Sequence, residues 1–386
     1  MPAALATAWV TLFVVGTDLF VVSPLLPAIA RGYHVAPPLA GLSVTGFAFS
    51  YMVSAPAFGY LADRIGRHRI LVCCLGGFGI ANLLSATAAT LGSLVLARVV
   101  AGSMAAGVTP SIYALIGDSA PPSQRATWLA IAVSGLLISL SLGAPLGALA
   151  GAEFGWPRVF LIFGIVSIAL LWVNRRVWPG ARPAAANDGN PAPGLRAAAP
   201  RLGLTVLWST ALYGMYTYLG TGLDGSGFTA ARTADVILFY GAGAVCGNLL
   251  GGRLADRLGP RVAIGAGLIG IAVSFLVLPL AMRSEQLVAP AFAVASAAAQ
   301  LFFPAQQAGL AGDFPSRRAT LLAWNNAALF LGISLGSLIG GEAVAVGGFG
   351  TDLAVSAVIA FAGWIVHSTI PAGAVRPAAA AGSGGA

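Results

Sequence analysis

The stretch Gly59-Tyr-Leu-Ala-Asp-Arg-Ile-Gly66 returns in the second half of the chain as Gly252-Arg-Leu-Ala-Asp-Arg-Leu-Gly259. From Gly59 to Gly252 the offset is 193 residues, half of the 386-residue chain. The same offset pairs residues 122–127 with residues 315–320, and Ser141-Leu-Gly143 with Ser334-Leu-Gly336. Three matches at one offset indicate an internal duplication, so we predict two tandem copies of one structural unit.

The composition predicts that this unit lies in a membrane. Hydrophobic residues make up 58% of the chain and charged residues only 8%, whereas a soluble domain carries about 25% charged residues. A spanning helix needs roughly 20 apolar residues, so the chain has room for about a dozen helices with short loops. The net charge of +8 is interpreted as the charge of cytoplasmic loops, and no nucleic-acid partner is expected. The three cysteines show no metal-site or disulfide spacing.

Apolar runs bounded by charged residues, Pro and Gly predict an all-α protein with twelve transmembrane helices. The predicted spans are 8–30, 39–61, 70–88, 91–116, 126–150, 157–177, 202–222, 233–254, 262–282, 287–312, 319–341 and 351–371. They divide the chain into a six-helix bundle at 1–177, a flexible cytoplasmic linker at 178–200, a second bundle at 201–372 and a disordered tail at 373–386.

The distribution of arginine predicts the orientation. Fifteen arginines fall on the side that holds the linker and both termini, and four fall on the other side, at Arg31, Arg158, Arg232 and Arg283. Cytoplasmic loops carry the excess of basic residues. Both termini are therefore predicted to be cytoplasmic, in a multi-pass protein of the bacterial inner membrane.

The loop between spans 2 and 3, Gly-x-Leu-Ala-Asp-Arg-x-Gly-Arg, resembles the signature loop of the major facilitator superfamily, and the resemblance covers nearly the whole chain. It implies two pseudo-symmetric six-helix bundles that transport small molecules by alternating access. Two positions depart from the family pattern. His68 stands where a second basic residue is usual, and Pro260 replaces the arginine expected after Gly259. We therefore expect the first copy of the loop to do more of the gating.

Asp18 is the candidate proton-coupling carboxylate. It lies about 15 Å along span 1 at the helical rise, in a segment, residues 16–27, that resembles the first span of the twelve-span drug:proton antiporter branch. An acid at this depth is costly and should face the bundle interior or a cavity. The alternative interpretation is a structural carboxylate held by a donor from a neighbouring helix.

Arg98 is the second charge deep in a span. Its surroundings, Leu96-Ala-Arg-Val-Val-Ala-Gly102, resemble the span-4 motif of the family, whose arginine is linked to proton transfer. A buried arginine needs a partner, and Asp18 is the candidate nearest in depth. The alternative is a permanent strut to backbone carbonyls.

Span 5 carries Gly135, Gly143, Pro145 and Gly147. Small residues let helices approach closely and proline bends a helix. The segment resembles the antiporter motif of the family, which is associated with export. Ordinary packing of small residues is the alternative.

The repeated loop is predicted to gate the cytoplasmic side. The resemblance places Asp63 at the positive N-terminal end of span 11, while Arg67 can pair with Asp118. Charge that only sets the topology is the alternative. The predicted gating residues are Gly59, Asp63, Arg64, Gly66, Arg67 and Asp118, with Asp256, Arg257 and Asp313 in the second half.

The resemblance also implies a central cavity lined by spans 1, 2, 4 and 5 and by spans 7, 8, 10 and 11. Aromatic, Met and amide side chains near mid-depth suit amphipathic, often cationic molecules, although packing or lipid contact is an equal alternative for each. The candidates are Phe47, Tyr51, Met104, Ser134, Tyr213, Tyr216, Phe239, Gln300, Asn325 and Asn326.

These features predict a proton-coupled exporter of drugs or other small amphipathic molecules. Efflux of sugars or other metabolites is the alternative, because one scaffold serves many substrates. The sequence shows no nucleophile, metal cluster or phosphate loop of an enzyme and no extra domain of a sensor. We expect no metal or cofactor beyond a proton gradient. The expected partners are a small-molecule substrate, protons and membrane lipid, and the protein is expected to be a monomer.

Overall fold

The computed structural model describes residues 2–121, 124–178, 192–314 and 318–370. The greater part of the predicted linker and the whole predicted tail lie outside these residues. The side chain of Asp63 is also outside the described set, although its backbone belongs to a helix.

The N-terminal half consists of α1 (Pro2–Gly32), α2 (Pro37–Ile65), α3 (Arg67–Ala86), α4 (Leu91–Ser119), α5 (Arg125–Ile138), α6 (Ala144–Phe154) and α7 (Trp156–Val177). A π-helical segment, Ser139–Gly143, joins α5 to α6, so these three pieces form one span. Pro145 follows this segment at the start of α6, where its missing N–H costs least.

The C-terminal half consists of α8 (Ala192–Gly225), α9 (Ala230–Leu258), α10 (Pro260–Ala281), α11 (Glu285–Gln300), α12 (Phe302–Asp313) and α13 (Arg318–Thr369). Span 10 is interrupted at Leu301, between α11 and α12. Helix α8 already includes residues 192–200, which the sequence analysis assigned to the linker.

Helix α13 contains two spans. Gly347 and Gly348 leave helical geometry, and Gly348 has φ 74° and ψ −172°, a conformation that only glycine adopts readily. We call residues 318–346 α13N and residues 349–369 α13C. The turn predicted between spans 11 and 12 is therefore much tighter than the sequence suggested.

The described helices include ten stretches long and apolar enough to cross a membrane, of which one, Thr320–Thr369, is α13. Counting α13 as two spans and adding α8 gives the twelve predicted spans. Helix α8 is less apolar because it carries many Ser, Thr and Tyr side chains. Large apolar side chains remain exposed along the outside of the bundle, as a lipid-facing surface requires.

The duplication is visible as direct contact between equivalent residues. The Ser23 hydroxyl donates to the Tyr216 carbonyl, and the Arg31 guanidinium donates to Asp224 at 2.7 Å. Each pair is separated by 193 residues. Equivalent residues meet only near a symmetry axis, so the pseudo-two-fold axis passes between α1 and α8.

The two halves meet mainly away from the linker. We call the end at Val177 and Ala192 the linker end and the opposite end the far end. The described hydrogen bonds and ring stacking between the halves run from mid-depth to the far end. They include Ser337 Oγ to the Gly41 carbonyl at 3.0 Å and Ser334 Oγ to the Thr45 carbonyl at 3.3 Å. This arrangement closes the far end in this conformation.

Candidate functional site

Asp18 of α1 and Arg98 of α4 form a buried ion pair. Arg98 Nη1 lies 2.8 Å from both carboxylate oxygens of Asp18, and Arg98 Nη2 donates to the Asp18 carbonyl at 3.3 Å. The two side chains are 0% and 1% exposed. The structure thus brings together the two charges that the sequence placed at similar depth.

Aromatic rings enclose this pair inside the N-terminal bundle. The Arg98 guanidinium carbon lies 4.6 Å from the centre of the Phe47 ring and 5.3 Å from that of Phe160. Gly102 allows the close approach, because a methyl group there would overlap with the Phe47 carbonyl. Separation of this pair would leave two buried charges without compensation, which carries a large energetic cost.

The span-5 glycines hold α1 beside this pair. A methyl group at Gly143 would overlap with Thr17, the neighbour of Asp18, and one at Gly147 would overlap with Val21. Gly135 faces the Trp9 carbonyl in the same way. A shift of span 5 would therefore directly displace the turn of α1 that carries Asp18.

A nearly closed cavity lies between the halves at mid-depth. Its volume is about 10 Å³, which is room for about one water molecule. Two of the predicted cavity residues, Tyr213 and Tyr216, line it together with Phe20 and Ser23. The Tyr216 hydroxyl donates to the Phe20 carbonyl at 3.0 Å, so α8 is tied to α1 across the cavity.

Further aromatic side chains of the C-terminal half pack behind the two tyrosines that line this cavity. The Tyr216 ring stacks on Tyr240 with 5.3 Å between centres, and Trp208 stacks on Phe302 at 5.0 Å. The Trp208 indole donates to the Ala299 carbonyl at 2.8 Å, next to Gln300. An apolar wall with a few hydroxyl groups is the chemistry of a site for amphipathic molecules.

The other predicted cavity residues have more varied surroundings. The Tyr51 ring stacks on Phe330 of α13N with 3.5 Å between centres, and its hydroxyl interacts with Thr109 and Asn326. Phe47 lies against Arg98 in the N-terminal core rather than at the junction of the halves. Met104 packs where Gly77 leaves space between α3 and α4.

Of three further candidates, two form hydrogen bonds within their own half of the protein and one is largely exposed. Ser134 accepts a hydrogen bond from the Trp9 indole at 3.1 Å. Asn325 is buried and accepts from the Thr205 hydroxyl at 2.6 Å. Phe239 is 47% exposed. The cavity role of each of these residues stays a prediction.

The repeated loops lie at the linker end. Gly66 and Gly259 end α2 and α9 with φ 99° and 88°, a left-handed conformation that favours glycine. Arg67 Nη1 lies 2.8 and 2.7 Å from the two oxygens of Asp118, as the sequence predicted. A methyl group at Gly59 or Gly252 would meet nothing within 4 Å.

The second copy of the loop has different contacts. Asp313 pairs with Arg201 of α8. Arg201 thus takes the place of the motif arginine, since Pro260 stands where that arginine is expected. Asp256 and Arg257 are exposed. Arg64 of the first copy lies over the Tyr60 ring at 4.5 Å. The two copies are therefore unequal in their contacts.

Two charged features were not predicted from the sequence. Arg31 and Asp224 form their ion pair at the far end, although the 193-residue offset would have paired them. They border a pocket of about 530 Å³ that His34 and Thr221 also line. Asp352, within the predicted span 12, is a fully buried acid in α13C.

Comparison with known proteins agrees with this architecture. The family model of the Major Facilitator Superfamily matches residues 8–247 and, in a second match, residues 202–383. The chain belongs to the major facilitator superfamily. Its fold and its relatives are those of transporters and not of enzymes.

Several bacterial members of the superfamily are similar in sequence. The uncharacterized MFS-type transporter YceJ of Bacillus subtilis is 30% identical over 338 residues, which cover 86% of each chain. The inner membrane transport protein YdhP of Escherichia coli is 28% identical over 344 residues and 87% of each chain. The Escherichia coli 3-(3-hydroxy-phenyl)propionate transporter is 34% identical over 211 residues and 52% of each chain.

Solved transporter structures share the fold at low sequence identity. A bacterial homologue of the human lysosomal transporter Spinster superposes with a TM-score of 0.79 at 19% identity, covering 94% of this chain and 95% of the other. The human organic anion transporter MFSD10 gives a TM-score of 0.70 at 16% identity, covering 95% and 99%.

Proposed function

We propose that this protein is a proton-coupled antiporter that exports small amphipathic molecules by alternating access. The observation that carries the proposal is the enclosed Asp18–Arg98 pair beside the mid-depth cavity. The next two residues of α1, Leu19 and Phe20, line the cavity, and the Phe20 carbonyl accepts the hydrogen bond from Tyr216. A movement of Asp18 can therefore be transmitted along α1 to the substrate-binding surface.

The conformation supports loading from the cytoplasm. The excess of arginine at the linker end assigns that end to the cytoplasm, and the contacts between the halves close the far end. We infer that the repeated loops close the cytoplasmic side only in the other conformation. Closure there would bring Asp63 to the start of span 11 and move the cavity to outward access.

In the proton step, Asp18 exchanges its ion pair with Arg98 for a bound proton. With Arg98 bound, Asp18 is held as the carboxylate. A movement of α1 or α4 that separates the pair leaves an acid in an apolar core, where the neutral form is favoured. Proton uptake from outside and release inside would then alternate with substrate export.

Everted membrane vesicles with an imposed pH gradient test this proposal. Wild-type protein is expected to drive accumulation of a fluorescent amphipathic cation, and Asp18→Asn is expected to lose the part that depends on the gradient. Asp235→Asn, an exposed acid of α9, is the control and should transport normally. Gradient-driven accumulation by Asp18→Asn at the wild-type rate would show that Asp18 does not couple protons.

Efflux of a sugar or another metabolite remains the alternative on the same scaffold. A thermal-shift panel of amphipathic cations, aromatic acids and sugars at two pH values separates these substrate classes, since a bound ligand raises the apparent stability. Stabilisation by sugars alone would support the alternative.

A further inference from the structure

Asp352 is a buried acid without a partner. It lies on α13C, its side chain is 0% exposed, and neither carboxylate oxygen forms a hydrogen bond to another described residue. Ser356, one turn further along the helix, brings its hydroxyl near the carboxyl group but not into the geometry of a normal hydrogen bond. An ionised carboxylate in such a place would carry a large desolvation cost.

The fold makes room for this carboxyl group. A methyl group at Gly340 of α13N would lie 2.8 Å from Asp352 Oδ1, and one at Gly214 of α8 would lie 3.6 Å from the same atom. Gly340 thus leaves the space that Asp352 fills, and Gly214 lies in ordinary contact distance beside it. The site is enclosed by three helices of the C-terminal half and is separate from the Asp18–Arg98 pair.

Among the described residues, no cation is found at this site. The titratable group that interacts with Asp352 is Tyr218 of α8, which Glu342 of α13N also influences. Helix α10 also packs against α13, but its one charged residue, Arg261, donates to the carbonyls of Ser368 and Ile370 near the opposite end of α13C. With a phenol as its titratable neighbour, Asp352 has no positive charge among the described residues to hold it ionised.

We propose that Asp352 is a second proton-binding site, located in the C-terminal half, and that its proton stabilises the closed far end. The proposal deepens the proposed proton coupling, but proton binding at Asp352 does not depend on Asp18. In this conformation Asp352 carries its proton as a neutral carboxylic acid. Loss of that proton requires water or a cation to enter between α8, α13N and α13C.

A short chain of contacts links this site to the junction of the halves. The Tyr218 hydroxyl, next to Asp352, donates to the Ser337 carbonyl at 2.9 Å. Ser337 Oγ in turn donates to the Gly41 carbonyl of α2 at 3.0 Å. Separation of α8 from α13N at Asp352 would break the first contact and loosen the second, which opens the far end.

The first test measures thermal unfolding of the purified protein as the pH is raised from mildly acidic to mildly alkaline. The folded state keeps a proton that the unfolded state releases, so stability falls as the pH rises. Asp352→Asn, a neutral mimic of the protonated acid, is expected to lose this fall, while Asp18→Asn and the exposed control Asp235→Asn keep it. If Asp352→Asn does not fold, Asp352→Leu takes its place with the same expectation.

The second test follows the far end by chemical labelling. Thr221 lines the far-end pocket but its hydroxyl is buried, so a cysteine there is expected to react slowly with a polar maleimide until the far end opens further. The background is Cys73→Ser, Cys74→Ala and Cys246→Ser. Each rate is divided by that of the exposed control Ser226→Cys at the same pH, because the reactive thiolate fraction itself rises with pH. The corrected labelling rate of Thr221→Cys is expected to rise several-fold at alkaline pH with Asp352 and to stay constant with Asp352→Asn.

Either test can overturn the proposal. A wild-type pH dependence of stability in the neutral Asp352 variants would show that another group binds the proton. A labelling rate at Thr221→Cys that still rises with pH relative to the Ser226→Cys control in Asp352→Asn would show that the proton does not control the far end. Neither result bears on transport through Asp18, so failure here is distinguishable from failure of the proposed antiport.

Discussion

At the scale of single residues, the two buried acids of this transporter are held in opposite ways. Asp18 has a guanidinium within 2.8 Å of both of its oxygens, whereas neither oxygen of Asp352 has a described hydrogen-bond partner. A paired acid resists protonation until the pair opens, and an unpaired one resists ionisation until the site is hydrated. The two halves therefore carry acids suited to different steps of one cycle.

The Asp18–Arg98 pair predicts a specific order of stabilities. Removal of one partner leaves the other charge buried without compensation, at a cost of about 3–5 kcal/mol. Replacement of both by apolar side chains of similar size removes that charge. We therefore expect Asp18→Leu and Arg98→Met each to unfold at a lower temperature than the double variant. Thermal unfolding in one detergent checks this order, and a double variant that loses the sum of the two single effects would contradict it.

The sequence predicted Asp18 and Arg98 because a charge inside a long apolar run is conspicuous. It predicted the pairing of Arg67 with Asp118 from their positions at neighbouring helix ends. Asp352 lay inside the predicted span 12, but so close to its predicted start that the sequence pattern showed no sign of burial. Because the chain turns within Gly347 and Gly348, Asp352 falls in the packed part of α13C. Phe47 points into the N-terminal core whereas Tyr213 lines the cavity. This orientation of a side chain on its helix depends on tertiary packing, which the sequence pattern does not contain.

At the scale of helices, backbone contact through glycine sets the packing. Gly243, Gly247 and Gly251 lie four residues apart on α9 and face Ala293, Ala297 and Leu301, also four apart. Within a membrane, helices associate by such close packing, because lipid removes the hydrophobic driving force. The third contact falls on Leu301, where the helix of span 10 is interrupted.

This packing predicts different effects of one substitution at two places on α9. A methyl group at Gly247 would overlap with the Ala297 carbonyl, whereas one at Gly252 would meet nothing within 4 Å. We expect Gly247→Ala to destabilise the protein by about 1–3 kcal/mol through overpacking. Gly252→Ala should be neutral or slightly stabilising because alanine favours a helix. Equal unfolding temperatures of the two variants would argue against close contact between α9 and α11.

At the scale of the whole molecule, the duplication explains which contacts lie on the axis and which lie beside it. Ser23 meets its equivalent Tyr216, and Arg31 meets its equivalent Asp224. The contact of Ser334 with Thr45 corresponds to the packing of Ser141 against Gly241, one on each side of the axis. Two halves that touch along one axis can rock about it without unfolding either core, which is the motion that alternating access requires.

The Arg31–Asp224 pair predicts how that motion is balanced. Its side chains are 65% and 47% exposed, and exposed pairs contribute only about 0–1 kcal/mol, so loss of the pair should barely change stability. It joins the two halves at the far end, however, so its loss should favour opening there.

We expect Arg31→Ala to increase the population of longer distances between spin labels at His34→Cys and Ser226→Cys, in a background without the native cysteines. The charge exchange Arg31→Asp with Asp224→Arg should restore the shorter distances. Salt at about 1 M should weaken the difference, because the screening length then falls to about 3 Å. Unchanged distances in Arg31→Ala would show that the hydrogen bonds of Tyr216 and Ser337 close the far end without this pair.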